Sequence, residues 1–86
     1  MADVPVRILL FAHPRELLGG APFVDVRLPA GTTLRDARAA LGALPALAAV
    51  VGACAFALGD ALVPLSAEAT TLCGAEVALI PPVSGG

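Results

Sequence analysis

The sequence predicts an α+β domain in which a mixed sheet of four to five strands packs on one main helix. Apolar, β-rich segments lie near both ends of the chain, and a segment with helical spacing of apolar residues lies between them. The 86 residues are enough for one small domain, and a hydrophobic content of 58% is too high for a disordered chain.

The first two strands are predicted at 4–12 and 23–28, paired as a hairpin. Apolar residues occupy both faces of the first strand, which is typical of a central strand, whereas the second alternates between apolar and polar residues. The connection over 13–20 should contain one helical turn, with Pro14 at its first position and two glycines to end it.

The main helix is predicted to begin at Thr33 and to run for about three turns, until a glycine and a proline end it near residue 45. Thr33 and Asp36 have the spacing of a capping pair. Arg35 and Arg38 are expected on or beside the solvent edge of the helix. The buried stripe should consist of Leu34, Ala37, Leu41 and Leu44.

Three further strands, a short helical piece and a loop with a helical turn complete the domain. The strands are predicted at 53–58, 61–64 and 76–80, the helical piece at 47–52 and the loop at 66–72. This order of elements matches the β-grasp architecture, in which the first and last strands pair in parallel at the centre of the sheet. We therefore expect a domain over 1–80 and a flexible, extended tail over 81–86.

The composition argues against several classes of function. A net charge of −2, a pI near 5.0 and the absence of Trp and Tyr argue against nucleic-acid binding. The uncharged stretch 39–59 is long enough to cross a bilayer, but Pro45 interrupts it and small residues dominate it. We therefore expect a soluble, cytoplasmic protein without a membrane anchor. All five basic residues are arginines, so no lysine is present for Schiff-base chemistry or as an isopeptide acceptor.

Cys54 and Cys73 lack the spacing of a redox or zinc motif, and we predict no metal site. Both are expected to be buried free thiols, with a disulfide between them as the open alternative. His13 is interpreted as a loop residue, because no second ligand is near it in the sequence.

The last six residues carry the predicted chemistry. The two prolines favour an extended segment, and the two glycines lack a Cβ, so their backbone can enter a narrow channel and present a terminal carbonyl. The alternative is an inert, frayed chain end. The segment is Pro81-Pro82-Val83-Ser84-Gly85-Gly86.

Two blocks of the sequence resemble the small subunits of molybdopterin synthase. The first is 6–12 (VRILLFA) followed by 15–17 (REL), and the second is 76–86 (EVALIPPVSGG), which resembles that family's ending almost residue for residue. Thiamine-pathway sulfur carriers share the Gly-Gly end but usually lack the first block and the Pro-Pro-Val-Ser lead-in. Two departures stand out: 55–57 lacks the family's usual Asn, and 74–77 (GAEV) replaces its usual Gly-Asp-Glu-Val turn.

The resemblance implies a sulfur carrier that is not catalytic by itself and binds no cofactor. An E1-like adenylyltransferase would activate the Gly86 carboxylate with ATP, and sulfur would then replace the adenylate to give a thiocarboxylate. Gly85 would let the tail thread the active site. The large synthase subunit, in a heterotetramer with this chain, would use the sulfur to build the dithiolene of molybdopterin.

Docking is expected to use an apolar surface of the sheet together with the tail. Phe11 and Ile80 should lie side by side on the first and last strands, where they would form an exposed apolar patch. Arg15 would contact an acidic partner surface. The remaining predicted contacts are the tail residues Pro81, Pro82, Val83 and Ser84.

Three alternative functions remain open at this stage. The tail could serve as the sulfur carrier of another pathway, of the thiamine or cysteine type, or as a ubiquitin-like modifier joined to a lysine of a target protein. Alternatively, the sheet face alone could bind a partner while the tail is inert. An electron-carrier ferredoxin is excluded, because its cluster needs four cysteines and the chain has two.

Overall fold

The computed structural model describes residues 3–82, which contain five strands and two α-helices. The strands are β1 (Asp3–Leu10), β2 (Phe23–Pro29), β3 (Ala55–Leu58), β4 (Ala61–Val63) and β5 (Glu76–Ile80). The helices are α1 (Ala12–Leu17) and α2 (Leu34–Gly42), and 3₁₀ turns occupy Val51–Ala53 and Leu65–Thr70. Among these residues, no helix is long and apolar enough to span a membrane.

The five strands form one mixed sheet in the order β2-β1-β5-β3-β4. β1 and β5 pair in parallel, with Ile8 opposite Val77 and Leu10 opposite Leu79. The other three pairs, β1 with β2, β5 with β3 and β3 with β4, are antiparallel. The first and last strands therefore lie side by side within the sheet, which confirms the predicted β-grasp fold.

The hydrophobic core lies between one face of the sheet and α2. Val6 and Ile8 of β1 and Leu79 of β5 are fully buried, because alternate residues of these strands face the helix. α2 contributes its predicted stripe to the same cluster; the stripe is Leu34, Ala37 and Leu41, with Leu44 partly buried. At its start, the Thr33 hydroxyl accepts a hydrogen bond from the backbone N–H of Asp36 at 3.3 Å, as the capping pair predicts.

The prediction that the first strand extends to residue 12 is wrong. β1 ends at Leu10, and Phe11 is the extended N-cap of α1, which begins at Ala12 with a positive φ of 51°. A positive φ in a non-glycine residue is incompatible with strand geometry and turns the chain away from the sheet. Phe11 therefore follows the strand rather than belonging to it.

Several other boundaries differ from the predictions; for example, β2 ends one residue later than predicted, at Pro29, and β4 ends one residue earlier, at Val63. Pro14 is the third residue of α1 rather than the first. β3 begins at Ala55 rather than at residue 53, because a 3₁₀ turn precedes it, with the N–H of Cys54 donating to the carbonyl of Val51 at 3.2 Å. The 3₁₀ turn Leu65–Thr70 begins one residue before the predicted loop.

Arg38 lies beside the solvent edge, with 17% of its side chain exposed, and forms an ion pair that the sequence did not predict. Its guanidinium makes two hydrogen bonds with the carboxylate of Glu68, at 2.9 and 2.6 Å, and a third with the carbonyl of Val51 at 2.6 Å. The Glu68 side chain is 3% exposed, and the guanidinium also stacks 4.9 Å from the ring of Phe56. The planar, bidentate geometry satisfies the buried carboxylate, and it raises the pKa of Arg38, chiefly through the hydrogen bonds to Glu68.

Replacing Arg38 by Met should lower the free energy of unfolding by about 3 kcal/mol, because it leaves a buried carboxylate without its partner. Urea unfolding at neutral pH measures this change. Arg35→Met is the matched control, since Arg35 is exposed on the same helix, and it should change stability by less than about 0.5 kcal/mol. Equal losses in the two variants would contradict a structural role for the Arg38–Glu68 pair.

Candidate functional site

An apolar row crosses all five strands on the outer face of the sheet, opposite the face that packs on α2. The register places Phe23 beside Leu9, Leu9 beside Ala78, Ala78 beside Ala57, and Ala57 beside Leu62. Paired residues share a face of the sheet, so these five side chains point the same way. Leu62 at one end is 66% exposed and Phe23 at the other is 36% exposed. We call this set the apolar row.

A charged row on the same face consists of Arg7, Asp25 and Glu76. These residues lie two positions along their strands from the apolar row, on the side away from the tail. Arg7 is paired with Asp25 on one side and with Glu76 on the other. The Nε of Arg7 donates to Asp25 at 3.1 Å, and the guanidinium stacks 3.9 Å from the ring of Phe23. The hydrogen bond to Asp25 raises the pKa of Arg7. The outer face therefore combines an apolar centre with a row of three charges along one side, in which Arg7 is paired with Asp25.

The two predicted docking residues, Phe11 and Ile80, lie at the same end of the paired strands β1 and β5. Leu10, the residue before Phe11, pairs with Leu79, the residue before Ile80. Phe11 is 45% exposed, whereas Ile80 is half-buried and pairs with Ala55 on the outer face. The structure thus places Phe11 and Ile80 near the same ends of β1 and β5, next to the apolar row. Phe11 itself lies outside the strand.

Arg15 is exposed and its guanidinium contacts its own loop. Its Nε donates to the carbonyl of Gly20 at 3.0 Å, and the N–H of Gly20 donates back to the carbonyl of Arg15 at 2.9 Å. Gly19 and Gly20 have positive φ angles of 72° and 85°, which close this loop after α1 as predicted. Arg15 therefore holds the loop that follows α1, and its side chain is still exposed to solvent.

Pro81 and Pro82 continue directly from β5 and form one wall of a small groove. The other walls are His13 and Pro14 at the start of α1 and the segment 49–54 before β3. The groove has a volume of about 210 Å³. We call it the tail-root groove. The other four predicted tail residues, Val83, Ser84, Gly85 and Gly86, lie outside the described residues.

Both cysteines are free thiols, so the predicted thiols are confirmed and the alternative disulfide is wrong. Burial raises the pKa of Cys54, although the nearby charge of Arg38 lowers it in part, and burial also raises the pKa of Cys73. Within the described part of the chain, no three His, Cys, Asp or Glu side chains lie close enough to hold a metal ion together.

Sequence reasoning missed Leu62, the most exposed member of the apolar row. The alternation of the short strand β4 carries the signal, because Val63 pairs with the fully buried Phe56 and so leaves its neighbour Leu62 on the opposite face. A three-residue strand is too short for periodicity alone to assign its faces. Only the pairing of β4 with β3 assigns Leu62 to the outer face of the sheet.

The fold and the exit of the tail from a central strand define a β-grasp domain of the ubiquitin-like class. The model of the ThiS family matches residues 8–86. The chain therefore belongs to the ThiS family of β-grasp sulfur carriers.

A comparison with solved structures supports the assignment of the chain to this family. The chain is similar to a chain in the protein–protein complex of subunits 1 and 2 of molybdopterin-converting factor from Helicobacter pylori 26695. The two share 27% sequence identity and a TM-score of 0.66, over 96% of this chain and 100% of that one. No curated protein matches the chain.

Stability should fall as the pH rises past the ordinary thiol pKa of 9.0, because the raised pKa values of Cys54 and Cys73 mean that the folded state retains protons that the unfolded state loses. The sequence has no Lys or Tyr, so the two thiols are the side chains expected to titrate between about pH 8 and pH 10. Urea unfolding between about pH 7 and pH 10 measures the slope. A Cys54→Ala/Cys73→Ala variant should lose most of it; an unchanged slope would assign the effect to other groups.

Proposed function

We propose that this chain is the sulfur-carrying small subunit of a molybdopterin synthase. The observation that carries the proposal is the Gly-Gly end that follows the central strand β5 in a member of a sulfur-carrier family. The likeness to a chain of the molybdopterin-converting factor complex supports this pathway. The Pro-Pro-Val-Ser lead-in to the glycines supports it as well.

The proposed chemistry takes place at the carboxylate of Gly86. A carboxylate is a poor electrophile, so an E1-like adenylyltransferase joins it to AMP from ATP and releases pyrophosphate. Hydrosulfide released from a sulfur donor then attacks the carbonyl carbon, the C–O bond to AMP breaks, AMP leaves, and the thiol acid formed loses its proton to give a thiocarboxylate. Gly85 and Gly86 suit this reaction because no side chain shields the carbonyl or blocks a narrow channel.

The large synthase subunit is the proposed acceptor of the sulfur, and the outer face of the sheet is its proposed docking surface. The apolar row ends on the exposed Leu62, and Ile80 connects this row to the root of the tail. Leu62 and Phe23 are the exposed members of the row, and exposed apolar side chains are typical of protein interfaces. Docking there would place the tail next to the partner, and assembly of two such pairs would give the heterotetramer.

The cytoplasm is the proposed location, because two unpaired thiols suit a reducing compartment. ATP is used by the activating enzyme rather than bound by this chain. The thiamine pathway is the second candidate, and membership of the ThiS family favours it.

The mass of the intact chain, isolated from cells or treated with the activating enzyme, ATP and a sulfur donor, tests the carrier function. We expect a gain equal to the replacement of one oxygen by sulfur, and none in a chain lacking Gly86. An unmodified carboxylate after full treatment would overturn the proposal. Transfer of the sulfur to a molybdopterin precursor by the large subunit identifies the pathway, whereas transfer only to a thiazole precursor would favour the thiamine type.

Leu62→Asp should weaken binding to the large synthase subunit by about tenfold or more, because it places a carboxylate in an apolar contact. Isothermal titration of the purified subunits measures the change. Leu72→Asp is the matched control: Leu72 is 59% exposed but lies outside the apolar row, near residues 29–32. A similar loss in both variants would indicate a general effect of charge and contradict the docking surface.

A further inference from the structure

The strand β2 forms one edge of the sheet and has a row of backbone groups that face away from it. Within residues 3–82, β2 has a strand on one side only, which is β1. The N–H of Leu10 donates to the carbonyl of Pro22 at 2.9 Å, so these two residues are a hydrogen-bonded pair of the ladder. Such pairs alternate with non-hydrogen-bonded ones, so residues 24, 26 and 28 bond to β1. The backbone groups of residues 23, 25, 27 and 29 therefore point to the free edge.

The sequence of β2 is complementary to itself when a second copy runs in the opposite direction. The strand is FVDVRLP over 23–29, and Val26 is its central residue. If Val26 lies opposite Val26 of the second copy, Asp25 of each copy lies opposite Arg27 of the other. The remaining positions place apolar residues opposite apolar residues. Opposite charges and apolar side chains that face each other across two strands stabilise their pairing.

The same register also satisfies the backbone groups at the free edge. Asp25 and Arg27 both point their N–H and C=O groups outward, so each Asp25–Arg27 pair makes two hydrogen bonds between the copies. The N–H of Phe23 donates to the carbonyl of Pro29, whose lack of an N–H costs nothing at the end of the ladder.

Other registers are unfavourable. A shift by two residues places Asp25 opposite Asp25 or Arg27 opposite Arg27, and like charges directly opposite each other are destabilising. A shift by one residue puts the outward-facing backbone groups of one copy opposite residues that already bond to β1, and it mixes the two faces of the sheet. The charges of β2 therefore select one register.

The side chains of β2 are placed for this pairing. The carboxylate of Asp25 accepts from Arg7 at 3.1 Å, yet 51% of the Asp25 side chain is exposed. Arg27 is exposed and donates to the carbonyl of Asp3 at 2.8 Å. Exchanging that carbonyl for a carboxylate of the second copy gives a stronger, charge-assisted hydrogen bond. Val26 is half-buried on the inner face, and the second copy would cover its exposed part.

We propose that β2 pairs with β2 of a second copy of this chain in an antiparallel, two-fold symmetric dimer centred on Val26. The pairing joins two five-stranded sheets into one continuous sheet. It closes at the dimer, because both copies use the same edge. The opposite edge is β4, whose three residues offer a much shorter ladder. The inference goes beyond the proposed function and does not depend on the chemistry at Gly86.

Sedimentation equilibrium of the complete chain, from about 10 μM to 1 mM, tests the dimer. The mass should rise with concentration toward twice the 8.5 kDa of the chain. Asp25→Arg and Arg27→Asp each place like charges opposite each other, so each should raise the dissociation constant about tenfold or more. In an equimolar mixture of these two variants opposite charges face each other again, and the mixed dimer should form within about threefold of the original dissociation constant.

The controls make the same changes of charge away from β2. Asp60→Arg lies in the turn between β3 and β4, and Arg35→Asp lies on α2; both positions are exposed. Each should leave the dissociation constant within about twofold. Thermal unfolding of every variant checks the fold, because Asp25 also pairs with Arg7 in its own chain.

A disulfide tests the register in a chain that also carries Cys54→Ala and Cys73→Ala. Val26→Cys places two thiols at a directly opposite, non-hydrogen-bonded pair with Cα atoms about 4.5 Å apart, so oxidation should give a covalent dimer on a non-reducing gel. Val24→Cys is the matched control on the same face of the same strand. Its two copies lie four positions apart, about 13 Å along the strand, which is too far for a disulfide.

Four outcomes would overturn the proposal: a chain that stays monomeric up to about 1 mM, a mixture that fails to associate, controls that lose as much affinity as the β2 variants, or equal cross-linking at Val24 and Val26. A monomeric chain whose Arg27→Asp variant binds the large synthase subunit less tightly would assign this edge to a strand of that partner. The mass test at Gly86 is separate, so failure of the dimer and failure of the carrier function are distinguishable.

Discussion

The parallel pairing of β1 with β5 is the constraint on which the rest of the structure depends. It joins strands from opposite ends of the chain, and its register fixes both faces of the sheet at once. The same alignment that buries Ile8 and Leu79 against α2 places Leu9 beside Ala78 on the outer face. Because side chains alternate along a strand, a slip of one residue would exchange the core with the docking surface. The stability of the domain and its proposed partner surface therefore rest on one set of backbone hydrogen bonds.

The Arg38–Glu68 pair complements this pairing on the helical side of the molecule. It connects α2 to the turn Leu65–Thr70, and the third hydrogen bond of Arg38 holds the turn Val51–Ala53. These irregular segments contribute few large apolar side chains, so they depend on polar contacts for a fixed position. Ala53, the last residue of the turn Val51–Ala53, also lines the tail-root groove. The Arg38–Glu68 pair therefore helps to hold a segment that shapes this groove.

Much of the fold follows from local patterns in the sequence. The order of the elements, the hairpin, the Thr33 cap and the strand Glu76–Ile80 are each specified by periodicity and turn residues within a short window. The features that the sequence did not predict depend on residues far apart in the chain. Arg38 looks like a surface residue until Glu68 is brought to it, and Leu62 is assigned a face only by its partner strand. The prediction that Phe11 lies in the strand failed for a different reason: the positive φ at Ala12, which ends the strand, is not indicated by any pattern in the sequence.

The position of β5 has a mechanical consequence for the proposed function, in which other proteins hold the tail. Residues 76–79 of β5 pair with β1 on one side, and residues 78–80 pair with β3 on the other. A force applied to Pro82 acts along the strand, so it loads both ladders of hydrogen bonds in shear and cannot peel them apart one at a time. Such a domain should resist being unravelled from the end that its proposed partners would grip, and it should leave a tight channel in its folded form.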